Sequence, residues 1–334
     1  MKALVTGGGG FLGGAIARLL LSRGWEVTVL ARGSYPELEA GGARAVRGDI
    51  CDPEAAARAC DGADCVFHVA AKVGMWGPYR EFHRVNVEGT DTVLKAARAA
   101  GVRKFVFTST PSVVYPAGGG DVEGWTEKAP YPSSFDSHYA RTKALAEILA
   151  LASDSSSFST VALRPHLVWG PGRDLLVSRI VAQGRAGRVR RIGEFNKLID
   201  TTYIDDAAAA HLLAALKLAP GAPCAGKAYF ISGGDPRPNW EIIGRILEAA
   251  GAPPPGGPLP YRAAKIAAAG LETAWKLLRL EGEPPLTKFV VQQLTTAHWF
   301  DISAARRDLG YSPAVTVEEG MSRLAAWFRK AQLT

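Results

Sequence analysis

Residues 4–13 read LVTGGGGFLG, in which four consecutive glycines separate a strand-like run from a helix-like run. Glycine loses more conformational entropy on folding than any other residue, so a cluster of four needs a physical reason. Residues 2–6 are short and apolar, as in a buried parallel strand, and apolar side chains recur at helical spacing from Phe11 to Leu20. A second strand follows at residues 25–30. This order favours a phosphate-binding turn at a helix N-terminus over a flexible loop.

The glycine run fits two spacings. Gly8-x-Gly10-x-x-Gly13 is the usual dinucleotide spacing, whereas Gly7-x-x-Gly10-x-x-Gly13 is wider. Both contain Gly10 and Gly13, so these two glycines are predicted to contact the cofactor in either case. The wider spacing gains support only if the catalytic residues that accompany it occur later in the chain.

The remaining chain alternates between strand-like and helix-like segments. Strands are predicted at residues 2–6, 26–31, 44–47, 64–69, 104–109, 159–163 and 228–232, and helices at 53–60, 88–100 and 138–152. Such alternation predicts an α/β fold built on a doubly wound parallel sheet. A loop rich in glycine and proline at 251–260 precedes a region of different character. We therefore expect a nucleotide-binding domain at 1–168, with 200–232 returning to it. A smaller, mainly helical substrate-binding lobe is expected at 169–199 and 233–334.

Composition and charge exclude several classes of protein. The 334 residues are 47% hydrophobic and 21% charged, as in a globular protein, with a formal net charge of +7. The basic run at 184–191 is interpreted first as a solvated surface and second as an anion-facing segment, and no nucleic-acid motif accompanies it. Four cysteines and six histidines show no metal spacing, so no metal is predicted. With a strand from residue 2 and no long apolar run, we expect a cytoplasmic protein without a signal peptide.

The segment YARTK at 139–143 carries the catalytic signal. Tyr139 and Lys143 are four residues apart on a predicted helix, so both side chains leave the same face. A free tyrosine has a pKa of about 10, too high for ready proton exchange at neutral pH. A nearby ammonium group and an oxidised nicotinamide would each lower that pKa. We therefore predict that Tyr139 is an acid–base group tuned by Lys143; a surface helix is the alternative.

Seven segments together support a family resemblance. They are VTGGGGFLG (5–13), GDI (48–50), FHVAA (67–71), VNVEGT (85–90), FTSTPSVV (107–114), YARTK (139–143) and LRPHLVWGPG (163–172). On these segments the chain resembles the extended short-chain dehydrogenases/reductases, which have a Rossmann fold, and within them the 3β-hydroxysteroid dehydrogenase/isomerase-like branch. Residues 294–313 resemble bacterial 2-alkyl-3-oxoalkanoate reductases, ketone-reducing enzymes of long-chain olefin biosynthesis and lipid metabolism.

The resemblance implies roles for individual residues. Tyr139 would exchange the proton, and Lys143 would bind the nicotinamide ribose. Thr110, or Ser109 next to it, would donate a hydrogen bond to the substrate oxygen, with a helix or turn cap as the alternative for Thr110. Asn86 would support Lys143, with an N-cap of the following helix as its alternative. Cofactor contacts are implied for Gly7, Gly10, Phe11, Leu12, Gly13, Arg32, Asp49, Ile50, Ala70, Ala71, Asn86, Tyr139, Lys143, Pro165, Leu167 and Val168.

The end of the second strand predicts the cofactor. NAD enzymes place an acidic residue there to bind the ribose 2′-hydroxyl. This chain has Ala31 followed by Arg32, and a guanidinium group pairs well with a 2′-phosphate. NADP(H) is therefore predicted in preference to NAD(H).

The substrate is predicted from the second lobe. Residues 259–300 hold many large apolar side chains, which would form a wall or lid over an apolar pocket, a membrane-contacting helix at 259–280, or a plain core. Residues 72–79 are a second candidate wall, and Arg173 or the 184–191 run is a candidate for a substrate carboxylate.

Three functions follow from these expectations. The first is NADPH-dependent reduction of a hydrophobic β-keto acid, and the second is the same hydride transfer on a 3β-hydroxysteroid or sterol. The third is nucleotide-sugar epimerisation or dehydration, which Ala31-Arg32 disfavours. A dinucleotide sensor would be expected to lose Tyr139 or Lys143, and both are present. A homodimer is also expected.

Overall fold

The computed structural model describes residues 1–74, 76–172, 174–193 and 196–331. Its strands are, in chain order, β1 (Lys2–Thr6), β2 (Glu26–Ala31), β3 (Arg44–Arg47), β4 (Cys65–His68), β5 (Lys104–Thr108), β6 (Val122–Trp125), β7 (Ser159–Pro165), β8 (Val168–Trp169), β9 (Arg190–Ile192), β10 (Leu198–Ile199), β11 (Thr202–Tyr203), β12 (Lys227–Ile231), β13 (Arg237–Pro238), β14 (Gly256–Leu259) and β15 (His298–Phe300).

The helices are α1 (Phe11–Ser22), α2 (Pro36–Ala40), α3 (Pro53–Cys60), α4 (Tyr79–His83), α5 (Gly89–Ala99), α6 (His138–Ala152), α7 (Leu175–Arg185), α8 (Ile204–Lys217), α9 (Asn239–Ala249), α10 (Tyr261–Leu277), α11 (Lys288–Thr295), α12 (Ser303–Leu309) and α13 (Val317–Ala331). A π-helical turn spans Arg84–Glu88 and a 3₁₀ turn spans Pro111–Val114.

Seven strands of the described residues form one parallel sheet in the order β12-β7-β5-β4-β1-β2-β3. The chain runs outward from β1 to β3 and then returns to β4, so the direction of winding reverses between β1 and β4. Ligands of such sheets bind at the carboxyl ends of the strands beside this reversal. The doubly wound parallel sheet predicted from the sequence is confirmed, with strand ends shifted by at most two residues.

Both faces of the sheet are covered by helices. Successive side chains of β1 point to opposite faces, so Leu4 and Val5 belong to two different hydrophobic clusters. Val5 packs in one cluster with Ile16 of α1 and Ala210 of α8, whereas the Leu4 cluster includes residues of α3, α5 and α6. Helix α8 therefore packs on α1 although it lies far from it in the sequence.

A third hydrophobic cluster lies outside the main sheet, where α7, α9 and α13 bury Val177, Ile246 and Leu324. Short strands accompany these helices in three small sheets, and the sequence did not predict them. Strands of two to four residues are too short to show the alternation by which strands are recognised. The domain limits given above stay a prediction.

Helix α10 is largely exposed, which argues against its being plain core. Only Ala264 and Ala268 of this helix are buried, whereas Ile266 and Leu277 are 73% and 78% exposed. No helix among the described residues is both long enough and apolar enough to cross a membrane. Membrane contact through 259–280 and the homodimer stay predictions from the sequence.

Candidate active site

The glycine turn at the end of β1 leaves no room for a side chain at Gly7 or at Gly13. Gly7 has a φ of +69°, and a Cβ atom on it would lie 2.8 Å from the Cα of Ala70. A Cβ on Gly13 would lie 2.3 Å from the carbonyl oxygen of Gly7. Gly10, the N-cap of α1, is exposed, and its Cβ would meet only that same oxygen, at 3.2 Å. Side chains are thus excluded at Gly7 and Gly13, whereas Gly10 is exposed to solvent. The exposed side of the turn has room for a pyrophosphate at the helix N-terminus.

Tyr35 lies over this turn and was not singled out in the sequence. A Cβ atom on Gly9 would come within 1.8 Å of the Tyr35 ring, so the ring rests directly on the Gly9 backbone. Gly8 packs in the same way against Val29, with 2.6 Å between a built Cβ and Cγ1. Gly7, Gly8, Gly9 and Gly13 therefore each have a steric reason, and of these four only Gly9 lies outside both glycine spacings.

A buried hydrogen-bond network joins the carboxyl ends of β1 and β4. Thr6 Oγ1 lies 2.9 Å from His68 Nδ1 and accepts hydrogen bonds from the backbone of Val69 and Ala70. His68 Nε2 lies 3.0 Å from Thr90 Oγ1, which donates its own proton to the carbonyl of Asn86. Burial, together with the charge of Lys143, lowers the pKa of His68 to about 3, so this histidine is neutral. The network fixes the loop that carries Ala70 beside the glycine turn.

Asn86 connects that loop to helix α6. Its Oδ1 accepts from the Lys72 backbone at 2.7 Å, and its Nδ2 donates to the Lys72 carbonyl and to Thr142 Oγ1. Asn86 lies inside the π-helical turn, and its side chain caps no helix, so the N-cap alternative is wrong. Because Thr142 precedes Lys143, Asn86 is placed to support Lys143 through the backbone of α6.

The Lys143 side chain is buried, and its terminal amine makes two contacts. Its Nζ donates a hydrogen bond of 2.6 Å to the carbonyl of Thr108 and lies 4.1 Å from the centre of the Phe107 ring. Burial lowers the pKa of Lys143 to about 7, and the charge of Glu147 opposes this shift. Burial therefore disfavours the charged form of this amine relative to an exposed lysine.

Tyr139 is paired with Thr110 rather than with Ser109. The Thr110 hydroxyl is close enough to Tyr139 to lower its pKa; Thr110 Oγ1 also lies 3.1 Å from Ser112 Oγ and accepts a hydrogen bond of 3.3 Å from Ser112 N, so it caps the 3₁₀ turn. The Ser109 hydroxyl is buried without a partner among the described residues. Burial raises the pKa of Tyr139 to about 12, and the bond to Thr110 lowers it in part. The direction is opposite to the lowering expected from the sequence, because burial outweighs the hydrogen bond.

Arg32 and Asp49 lie at the ends of β2 and β3. The Arg32 side chain is exposed, and its carbonyl accepts a hydrogen bond from Arg47 Nε at 3.2 Å. Burial raises the pKa of Asp49, but bonds from Cys51 and the charges of Arg84 and Arg32 lower it overall. The guanidinium group of Arg32 is therefore close enough to Asp49 to act on it. Ile50 is buried against Gly89.

The segment after β7 contains a strained residue. Leu167 has a φ of +41°, a region that residues with a Cβ rarely occupy. The backbone around it is held by bonds from His166 N to Ile231 O and from Thr202 Oγ1 to His166 O, at 3.0 and 2.6 Å. Strain of this kind concentrates at functional sites. Pro165, Leu167 and Val168, the predicted nicotinamide wall, thus form a fixed, irregular segment.

A cavity opens beside Tyr139 and Thr110, lined by Ser112, Tyr115, Pro116, Phe135, Asp136, Ser137, Ala140, Phe289 and Gln292. Phe289 and Gln292 belong to α11, so part of the 259–300 region does form a wall here. None of these lining residues is a lysine or an arginine. Arg173 lies outside the described residues. The arginines of the 184–191 run are exposed, as its first interpretation expected.

The family model for the 3-beta hydroxysteroid dehydrogenase/isomerase family matches residues 4–260. A 2-alkyl-3-oxoalkanoate reductase from Stenotrophomonas maltophilia (strain K279a) is 50% identical over 327 residues, which cover 98% of this chain and 99% of the relative. A 3 beta-hydroxysteroid dehydrogenase/Delta 5→4-isomerase from Mycobacterium tuberculosis (strain H37Rv) is 33% identical over 344 residues, covering 98% of this chain and 90% of the relative. Among solved structures, MoeE5 in complex with UDP-glucose and NAD superposes with a TM-score of 0.76 at 25% identity, over 99% of this chain and all of that one.

The fold and these comparisons define an NAD(P)-dependent oxidoreductase that acts on hydroxyl or keto groups. The chain belongs to the 3-beta hydroxysteroid dehydrogenase/isomerase family.

Proposed function

We propose that this protein reduces the ketone of a hydrophobic β-keto acid, converting a 2-alkyl-3-oxoalkanoate to the 2-alkyl-3-hydroxyalkanoate with NADPH. The observation that carries the proposal is an apolar cavity whose lining includes Ala140, next to Tyr139 in the chain, and Ser112, whose Oγ lies 3.1 Å from Thr110 Oγ1. Phe289 and Phe135 supply apolar surface in that cavity. The name of the Stenotrophomonas relative supports the same reaction.

The residues of the site divide the chemistry among them. A bound nicotinamide cofactor would supply the hydride, with Gly7, Gly10 and Gly13 beneath its pyrophosphate. Tyr139 gives its phenolic proton to the substrate oxygen, and Thr110 donates a hydrogen bond to the same oxygen as negative charge develops. Lys143 would bind the nicotinamide ribose, and the positive charge of its protonated form would stabilise the phenolate that remains on Tyr139 after the proton has moved to the substrate oxygen.

The other two functions are weaker on specific grounds. MoeE5, named as a complex with UDP-glucose, represents the nucleotide-sugar class. The alkyl chain of a 2-alkyl-3-oxoalkanoate suits the apolar Phe135 and Phe289 of the cavity better than a polar nucleotide sugar does. The sterol reaction is supported by the Mycobacterium relative, which at 33% identity is less similar to this chain than the Stenotrophomonas reductase at 50%.

Chain length of the substrate tests the proposal. We expect kcat/KM to rise about fourfold for each methylene added to the alkyl chain until the cavity is full, because each buried CH₂ contributes about 0.8 kcal/mol. The measurement is NADPH oxidation with a homologous series of β-keto esters and acids at fixed ionic strength. A kcat/KM that does not change with chain length, or turnover of UDP-sugars alone, would refute the proposal that the protein reduces hydrophobic substrates.

Cofactor preference gives a second test. An Arg32→Ala variant should raise KM for NADPH about 10- to 100-fold and leave KM for NADH nearly unchanged, because only NADPH has a 2′-phosphate for the guanidinium group. Steady-state kinetics with both cofactors measure this effect. The matched control is Arg23→Ala, at the C-cap of α1, which should alter neither value. Equal losses with both cofactors would remove Arg32 from this role.

A further inference from the structure

Three side chains form a buried chain of contacts behind the cavity wall. Tyr115 Oη lies 3.1 Å from His166 Nε2, and His166 Nε2 lies 3.3 Å from His298 Nδ1. His298 Nε2 in turn lies 2.9 Å from the carbonyl oxygen of Gln293. The two histidine side chains are buried, whereas Tyr115 is partly exposed and lines the cavity. Its ring stacks on Phe300.

The partners fix where the protons lie. Burial lowers the pKa of both His166 and His298, so both rings are neutral. The Gln293 carbonyl can only accept, so His298 carries its proton on Nε2 and presents a bare Nδ1. A proton on His166 Nε2 keeps two bare nitrogens from facing each other at 3.3 Å, and it avoids a buried N–H on His166 Nδ1, which has no partner among the described residues.

This arrangement determines the direction of the Tyr115 hydroxyl. The proton on His166 Nε2 points to Tyr115 Oη as well as to His298, so Tyr115 acts as an acceptor toward His166. Its own proton remains uncommitted, because among the described residues Oη has no further hydrogen-bond partner. A phenolic hydroxyl with a free proton at a cavity wall is a hydrogen-bond donor for a ligand.

Resting on the proposed function, we propose that Tyr115 donates a hydrogen bond to the carboxylate of the β-keto acid and that His166 and His298 hold it as a donor. Tyr139 and Thr110 take the ketone oxygen, and the carboxylate is attached one carbon from the ketone. Ser112, which is bonded to Thr110, lines the cavity together with Tyr115. Tyr115 is therefore a donor in the same cavity wall as Ser112, which contacts Thr110.

The other polar groups of the wall are less suited to this role. Ser137 Oγ accepts from the backbone of Ala140 and caps α6, and Asp136 is an acceptor already bonded to Gly118 N. Gln292 is a further neutral donor in the lining. Tyr115 is a neutral donor, so its contact with the substrate carboxylate is a charge-assisted hydrogen bond and not an ion pair. The affinity for the carboxylate should therefore depend little on salt concentration.

A preference ratio tests the proposal. NADP⁺-dependent oxidation of a 2-alkyl-3-hydroxyalkanoate is compared with that of the secondary alcohol of equal chain length without a carboxyl group. Tyr115→Phe, which keeps the stacked ring, should lower kcat/KM for the acid about 10- to 100-fold and change that for the alcohol by less than twofold. The ratio does not depend on the fraction of folded enzyme, because both substrates are measured on one preparation.

Two controls distinguish a failure of the role of Tyr115 from a failure of the proposed function. Tyr229→Phe removes a tyrosine hydroxyl that is bonded to Asp308, outside the site, and should leave the ratio unchanged. An unchanged ratio in Tyr115→Phe, with a wild-type enzyme that oxidises the acid, would overturn the role of Tyr115 alone. A wild-type enzyme inactive on the acid and on every β-keto substrate would instead overturn the proposed function.

Discussion

A Tyr139→Phe variant is expected to lose about 10²- to 10⁴-fold in kcat while still binding the cofactor. The substitution removes the phenolic proton and the hydrogen bond to Thr110 but keeps the ring in place. Because burial raises the Tyr139 pKa to about 12, the phenol holds its proton at neutral pH; its transfer to the substrate oxygen then depends on the negative charge that develops on that oxygen. Single-turnover reduction measures the chemical step, and cofactor fluorescence measures binding.

Thr110 provides the companion measurement. Thr110→Ala should lower kcat less than Tyr139→Phe does, because a hydrogen bond to the developing charge is lost while the proton donor remains. Ser109→Ala serves as the matched control, since the Ser109 hydroxyl is buried and has no partner among the described residues. Substantial turnover in Tyr139→Phe would remove the YARTK segment from the mechanism.

Glu147→Ala is expected to lower the free energy of unfolding by about 3–5 kcal/mol, the largest effect on stability that we foresee. The Glu147 carboxylate accepts two bonds from Arg164, at 3.0 Å from Nε and 2.5 Å from Nη2, and one of 2.6 Å from Tyr131. The side chains of Glu147 and Arg164 are 0% and 4% exposed. Removing the carboxylate leaves the guanidinium group buried without its counter-charge, and this unpaired charge is the main cost.

Urea denaturation of wild type and variant measures this change. Glu54→Ala is the matched control, because Glu54 is 87% exposed and lies 3.7 Å from Arg58; its loss should cost at most about 1 kcal/mol. The double variant Glu147→Ala, Arg164→Met should recover part of the loss, since no charge is then left buried. A loss below about 1 kcal/mol in Glu147→Ala would show that water reaches Arg164.

The framework of the sheet was predictable from the sequence because its strands are apolar and long enough to recognise. Residues 2–6 and 26–31 are strands with the same bounds in the structure, and residues 138–152 are a helix. The spacing of Tyr139 and Lys143 places them one turn apart on a helix, and together with the glycine turn and the family resemblance it predicts a catalytic pair, whose roles stay a prediction. The choice between Thr110 and Ser109 needed the geometry, since adjacent hydroxyls cannot be told apart by pattern.

The contacts between distant segments were not predictable. His166 and His298 are 132 positions apart and no local pattern links them, yet their nitrogens lie 3.3 Å apart. The same holds for Thr6 and His68, whose bond depends on the pairing of β1 with β4. Tyr35 and Tyr115 carry no motif of their own, and only their positions over the glycine turn and at the cavity wall single them out.

The packing of α8 on α1 has a consequence for synthesis on the ribosome. Ile16 and Leu20 are fully buried in the folded protein, in the same cluster as Ala210 and Ala214 of α8. A nascent chain that ends before α8 therefore displays this apolar layer to the surrounding solvent, and the edge strand β12 is made later still. Contacts between segments that are distant in the sequence slow folding and leave apolar surface exposed in the meantime. Such exposed surface promotes aggregation, which chaperones prevent. The apolar layer on α1 is thus buried only after the second half of the chain has been translated.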